Sequence, residues 1–165
     1  MTTKKYTIAV HDDGVEARYD NKPQAILAIV ASLYQTLLRN NITMEELMEI
    51  RRGLLLLHEA ENHAGYNSEY IKFTLDVEEV EPFIIKDAST IEMGYVVTTD
   101  FPISFHTDLN GAKAEVLFEL LDIYTSMNEI TSEVQSEFME DLKTLLGEKE
   151  PLILGCGQIT EVVCK

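Results

Sequence analysis

The feature that most restricts this chain is the run Pro23–Arg39, which at 100° per residue is apolar nearly all the way round its circumference. A helix with so little polar surface has no stable place on the outside of a soluble domain. It must be sandwiched between layers of its own fold or covered by a second copy, so a homo-oligomer through the helix around Ala25 to Leu38 is one expectation. The same run, broken by Ser32, Gln35 and Thr36, is too short for the roughly 20 apolar residues of a membrane span.

The segments around it follow local signals. Tyr6, Ile8 and Val10 alternate with Thr7, Ala9 and His11, Asp13-Gly14 offers a tight turn, and Val15, Ala17 and Tyr19 resume the alternation, which predicts a β-hairpin. Asn21 caps the apolar helix, with Pro23 in its first turn. Thr43 and Glu46 form a capping box that opens a second helix, predicted to run to about Asn62. Alternation at Ile71–Val77, Phe83–Ile85 and Ile91–Val97, extended by Phe101–Phe105, predicts an antiparallel meander. Third and fourth helices are predicted over 112–128 and 132–146, the latter from a Ser132/Gln135 capping box, and Leu152–Leu154 with Ile159–Val163 adds a strand or hairpin.

This order defines an α+β class: an N-terminal β-hairpin, two helical pairs and a mostly antiparallel sheet, in a single domain spanning 1–165. The two helical pairs are alike in length and connection, which raises the idea of a duplicated unit, but no residue-level repeat accompanies it.

Thirteen Lys and Arg stand against 29 Asp and Glu, for a net charge of −16. Residues 1–41 hold five cations and four anions, a net of +1, so −17 falls on the remainder. Direct nucleic-acid binding and anionic membrane surfaces are disfavoured, because both need cations to replace counterions, whereas a basic protein partner would be steered in. The N-terminus passes straight into an alternating strand pattern without a secretory h-region, so a cytoplasmic location is expected, with Cys156 and Cys164 as thiols.

The most coherent acidic surface lies on the last two helices. Glu115, Glu119 and Asp122 share one stripe, and Glu133, Glu137, Glu140 and Asp141 share the face opposite Val134, Phe138, Leu142, Leu145 and Leu146. Like charges at i,i+4 cost a helix about 0.2–0.5 kcal/mol per pair, a cost folding does not require. These seven carboxylates are therefore the candidate partner-binding residues, read as two adjacent acidic ridges.

Other constellations are weaker. His58 and His63 are five apart, not the four that one zinc ion needs; His58 is expected in the core, with Glu59 and His63 as a surface pair. Arg51 falls on the apolar arc and should find a carboxylate. Cys156 between two glycines lacks an identifiable base, and the histidine–carboxylate pairs at His11-Asp12-Asp13 and His106-Thr107-Asp108 have no ligand spacing. No cofactor, metal site or catalytic set is expected. The leading expectation is a non-enzymatic acidic binding or regulatory protein that engages a basic protein surface, one version being a nucleic-acid-mimicking inhibitor of the phage or mobile-element type. The alternatives are a small cytosolic enzyme using Cys156 or a His/carboxylate site, and a homo-oligomeric assembly protein.

Overall fold

A computed structural model describes residues 2–81, 92–99, 104–106, 108–147, 152–154 and 157–164. In chain order the elements are β1 (Thr3–Asp12), β2 (Val15–Tyr19), α1 (Lys22–Leu37), α2 (Met44–Glu59), β3 (Ala64–Asn67), β4 (Lys72–Val80), β5 (Glu92–Thr99), β6 (Ser104–His106), α3 (Leu109–Thr125), α4 (Ser132–Leu146), β7 (Leu152–Leu154) and β8 (Gly157–Cys164). The fold is α+β, with the N-terminal hairpin and two helical pairs in place.

The strands form two antiparallel sheets, ordered β2-β1-β4-β3 and β6-β5-β8-β7. Adding four to each strand number of the first gives the second. Each half is a ββααββ unit in which the long first and last strands pair at the centre and the short ones flank them. The connections agree too: residues 38–43 join α1 to α2 and residues 126–131 join α3 to α4, six in each case. Thr43 caps α2 and Thr131 caps α4, each preceded by isoleucine and followed two residues later by glutamate. At the same offset of 88, Ile29 and Leu117, Leu33 and Leu121, Leu54 and Leu142, and Leu57 and Leu145 are all buried. The duplication raised by the helix lengths is a property of the backbone and its caps.

The helices lie between the sheets. α1 packs on β1 and β2 and α2 on β3, while α3 packs on β5, β6 and β8 and α4 on β7; across the halves α1 meets α3 and α4, and α2 meets α3. One continuous core results, running from Ile8, Phe73 and Leu75 of the first sheet through α1 and α3 to Val97 and Ile159 of the second. Strand alternation sets which face joins it: in β4, Phe73 and Leu75 are buried while Lys72, Thr74 and Asp76 are exposed, and Val10 and Ile8 face Phe73 and Leu75 across the β1–β4 ladder. Ala25, Ile26, Ile29, Val30, Leu33 and Leu37 of α1 are thus covered within the chain by α2, α3, α4 and the first sheet, while Ala31 and Leu38 stay exposed.

Several boundaries differ from the sequence reading. Among the described residues the meander is divided between the sheets, since β4 pairs with β1 and β3 while β5 pairs with β6, as expected, and with β8; alternation shows which face of a strand is buried but not its partner. Phe83–Ile85, Ile91, Phe101–Ile103, Thr107 and Cys156 lie outside the described residues. α2 ends at Glu59, so His63 lies beyond it and its Nδ1 sits 3.4 Å from Asp76 of β4 rather than beside Glu59. α3 begins at Leu109 because the Asp108 carboxylate accepts from the Asn110 N–H, and it ends where the Thr125 and Ser126 hydroxyls donate to the Leu121 and Ile123 carbonyls. Asp13 and Gly14 take positive φ, 45° and 80°, as the two-residue hairpin turn demands.

The antiparallel helix pairs solve one electrostatic problem twice. Lys22, at the start of α1, donates to the His58 and Ala60 carbonyls at the end of α2. Lys113, in the first turns of α3 and only 8% exposed, donates to the Gly147 carbonyl at the end of α4 over 2.8 Å. In both halves a cation from the first helix meets the negative end of the second. Among the described residues no helix is long and apolar enough to cross a membrane.

Candidate functional site

The seven carboxylates divide between two hollows. Glu133, Glu137, Glu140 and Asp141 of α4 line one of about 480 Å³ with Tyr124 of α3 and Ser136. Their spacing of four, three and one keeps them on one face because Val134, Phe138, Leu142 and Leu145 turn the other face inward. Glu133, Glu137 and Glu140 are exposed, and among the described residues none of them forms an ion pair. Asp141 is half-buried and accepts from the Tyr124 hydroxyl at 2.9 Å. Gln135 does not close a capping box. It reaches the first half instead, accepting from the Ile42 N–H and donating to the Asn40 carbonyl, each over 3.0 Å, because Thr131 is the residue that caps α4.

Glu115, Glu119 and Asp122 line a different hollow of about 640 Å³, between α3, the C-terminal half of α2 and β6. The two sets are held apart by α3 itself. Tyr124 points toward α4, whereas Asp122 points toward α2 and meets Arg51, whose Nη2 and Nε lie 2.6 and 2.8 Å from one carboxylate oxygen. Arg51 therefore has the carboxylate that its place on the apolar arc of α2 called for. Both partners remain partly exposed, so the pair contributes no more than about 1 kcal/mol.

Glu115 is less an exposed stripe residue than a strand–helix clasp. One carboxylate oxygen accepts from the Ser104 hydroxyl at 2.5 Å and contacts His106 Nε2. The alternation of β6 places Ser104 and His106 on one face, and Gly111 lets the imidazole approach α3: a Cβ there would lie 3.2 Å from Nδ1. A nucleophilic triad would put serine and carboxylate on opposite ring nitrogens. Here both meet Nε2, and Ser104 Oγ is 3.4 Å from it, so the carboxylate holds the two side chains without setting up a proton relay. A strand-borne histidine nine residues before a helical glutamate has no signature in the sequence, because the contact exists only once β6 is packed on α3.

His58 lies on the rim of the same hollow, not in the core, because it belongs to the last turn of α2, where the helix passes the edge of the packed layer. Its ring rests on Phe118, centroids 4.7 Å apart. Desolvation first, and the Lys22 charge second, lower its pKa from the ordinary histidine value, so the ring is neutral near pH 7.

The remaining candidates are occupied by structure. Asp12 accepts from Ser32, and His11 and Arg18 both face Glu16, whose pKa the Arg18 hydrogen bond lowers. Among the described residues no group of three or more His, Cys, Asp or Glu side chains is arranged to hold a metal ion. No family model, curated protein or solved structure matches the chain.

Proposed function

We propose that this is a non-enzymatic binding protein whose α4 face engages a basic surface on another protein. The observation that carries the reading is the row Glu133, Glu137 and Glu140, exposed on one helix face with no ion pair among the described residues. Repulsion along such a row costs the helix a few tenths of a kcal/mol per pair, about 0.2–0.5, which a cationic partner would offset. Carboxylates recurring about every 5 Å along a helix suit a groove that otherwise receives backbone phosphates, so a nucleic-acid-binding protein is the natural class of partner, and the −16 charge supports long-range steering toward it.

The α3 carboxylates contribute less to this reading, since Arg51 answers Asp122, and Ser104 and His106 engage Glu115. Self-association through Ala25–Leu38 would draw on Ala31 and Leu38, which stay exposed where α3 and α4 cover the rest of the helix's apolar face. The test is capture from the lysate of the source cell with the wild type and with the E133Q/E137Q/E140Q variant, at low and high salt. A basic protein retained by the wild type at low salt, and lost with either the variant or the salt, is expected. Identical captures by both proteins would overturn the reading.

A further inference from the structure

The hollow between α2, α3 and β6 combines features that the α4 reading does not use. Its volume of about 640 Å³ exceeds that of the α4 hollow, about 480 Å³, and falls within the roughly 300–1,000 Å³ range of small-molecule sites. One wall is apolar, made by Pro23, Leu55, Ala114 and the Phe118 ring. Ser104, His106 and Glu115 supply polar groups to the same lining.

Charge selects the ligand. Glu115 is half-buried, and among the described residues no lysine or arginine pairs with it: its partners are a serine hydroxyl and an imidazole. Among the described residues, Arg51 and Lys22 are engaged elsewhere, Arg51 with Asp122 and Lys22 with the α2 carbonyls. His58, on the rim, is kept neutral by desolvation and by Lys22. An anion entering here would meet the Glu115 carboxylate, whereas a cation would lie against it with the aromatic face of Phe118 beside it. Among the described residues a metal ion would find His106 and Glu115 in contact, too few for a closed coordination shell.

Comparison of the halves supports a specialised site. At the offset of 88, Glu115, Glu119 and Asp122 correspond to Leu27, Ala31 and Tyr34 of α1. The first half is built without carboxylates at these positions.

We infer that this hollow binds a small organic cation, an ammonium or amidinium group on an apolar body, with the head on Glu115 and the body between Leu55 and Phe118. The inference does not depend on the α4 surface. It is tested by following the ring resonances of His58 and His106 by NMR during titration with benzamidine and phenethylamine, and with the neutral benzamide and the anionic benzoate as controls. At least one cation should shift both rings saturably, with benzamide weaker by at least about tenfold and benzoate inert. E115Q should weaken the cation by about tenfold or more. L55W, which leaves Glu115 and its bonds in place, should block binding from the apolar side, and E133Q/E137Q/E140Q should leave it unchanged. Rings unmoved by both cations, equal shifts from benzamide or benzoate, or full binding by L55W would overturn the assignment.

Discussion

The two ββααββ halves share strand order, loop length, caps and core positions, yet they differ in what they show to solvent. α1 carries Leu27, Ala31 and Tyr34 where α3 carries Glu115, Glu119 and Asp122, whereas Glu45 and Glu49 of α2 recur as Glu133 and Glu137 of α4, which adds Glu140 where α2 has Arg52. What the halves hold in common is what the fold requires. What only one has, the α3 carboxylates and Glu140, is the better guide to function.

The largest effect should come from the shared core. Leu54→Ala and Leu142→Ala remove matched side chains, 0% and 2% exposed, and each should cost about 2–5 kcal/mol in urea unfolding. Because α1 and α3 join both halves in one core, a single transition seen by all probes is expected from either variant. Two separated transitions would show that the halves are independent domains and break the equivalence.

A smaller difference should separate the matched caps. Thr43 accepts from the Glu46 N–H while Glu46 reaches back to the Thr43 N–H, whereas Thr131 makes only the first kind of bond, to Val134. Each threonine-to-alanine change should cost about 0.5–2 kcal/mol, with T43A the more costly in thermal unfolding. Equal losses would mean that the reciprocal bond adds nothing.

The smallest effect concerns pH. His58 has a folded pKa below its unfolded value of about 6.5, so between those two values the unfolded chain holds more protons and stability falls as pH drops through the window. The matched residue is Leu146, which does not titrate. H58L should therefore lose less stability than the wild type between about pH 7.5 and about pH 5.5, measured by urea midpoints. Parallel losses would place the sensitivity in other groups.

What could be read from the chain was local. The Asp13-Gly14 turn, the Thr43–Glu46 box and the apolar girth of Pro23–Arg39 each depend on neighbours in sequence, and each is found as expected. β3 escaped notice because four residues including Gly65 carry too little alternation. The two-sheet arrangement and the clasp of Glu115 by Ser104 and His106 depend on pairings that alternation does not encode. The repeat was hidden for a related reason: it is conveyed by element lengths and cap positions, while identical pairs such as Leu33 and Leu121, Asn40 and Asn128, Glu49 and Glu137, or Leu54 and Leu142 are spread too thinly along the chain to read as a motif.

α4 is secured at both ends by the rest of the molecule, through Gln135 to the connection at Asn40 and Ile42, and through Lys113 to Gly147. A helix pinned in this way displays its glutamates as a fixed ruler. Whatever docks there need not freeze the backbone beneath them, and the ordering penalty of association falls mainly on the long side chains themselves.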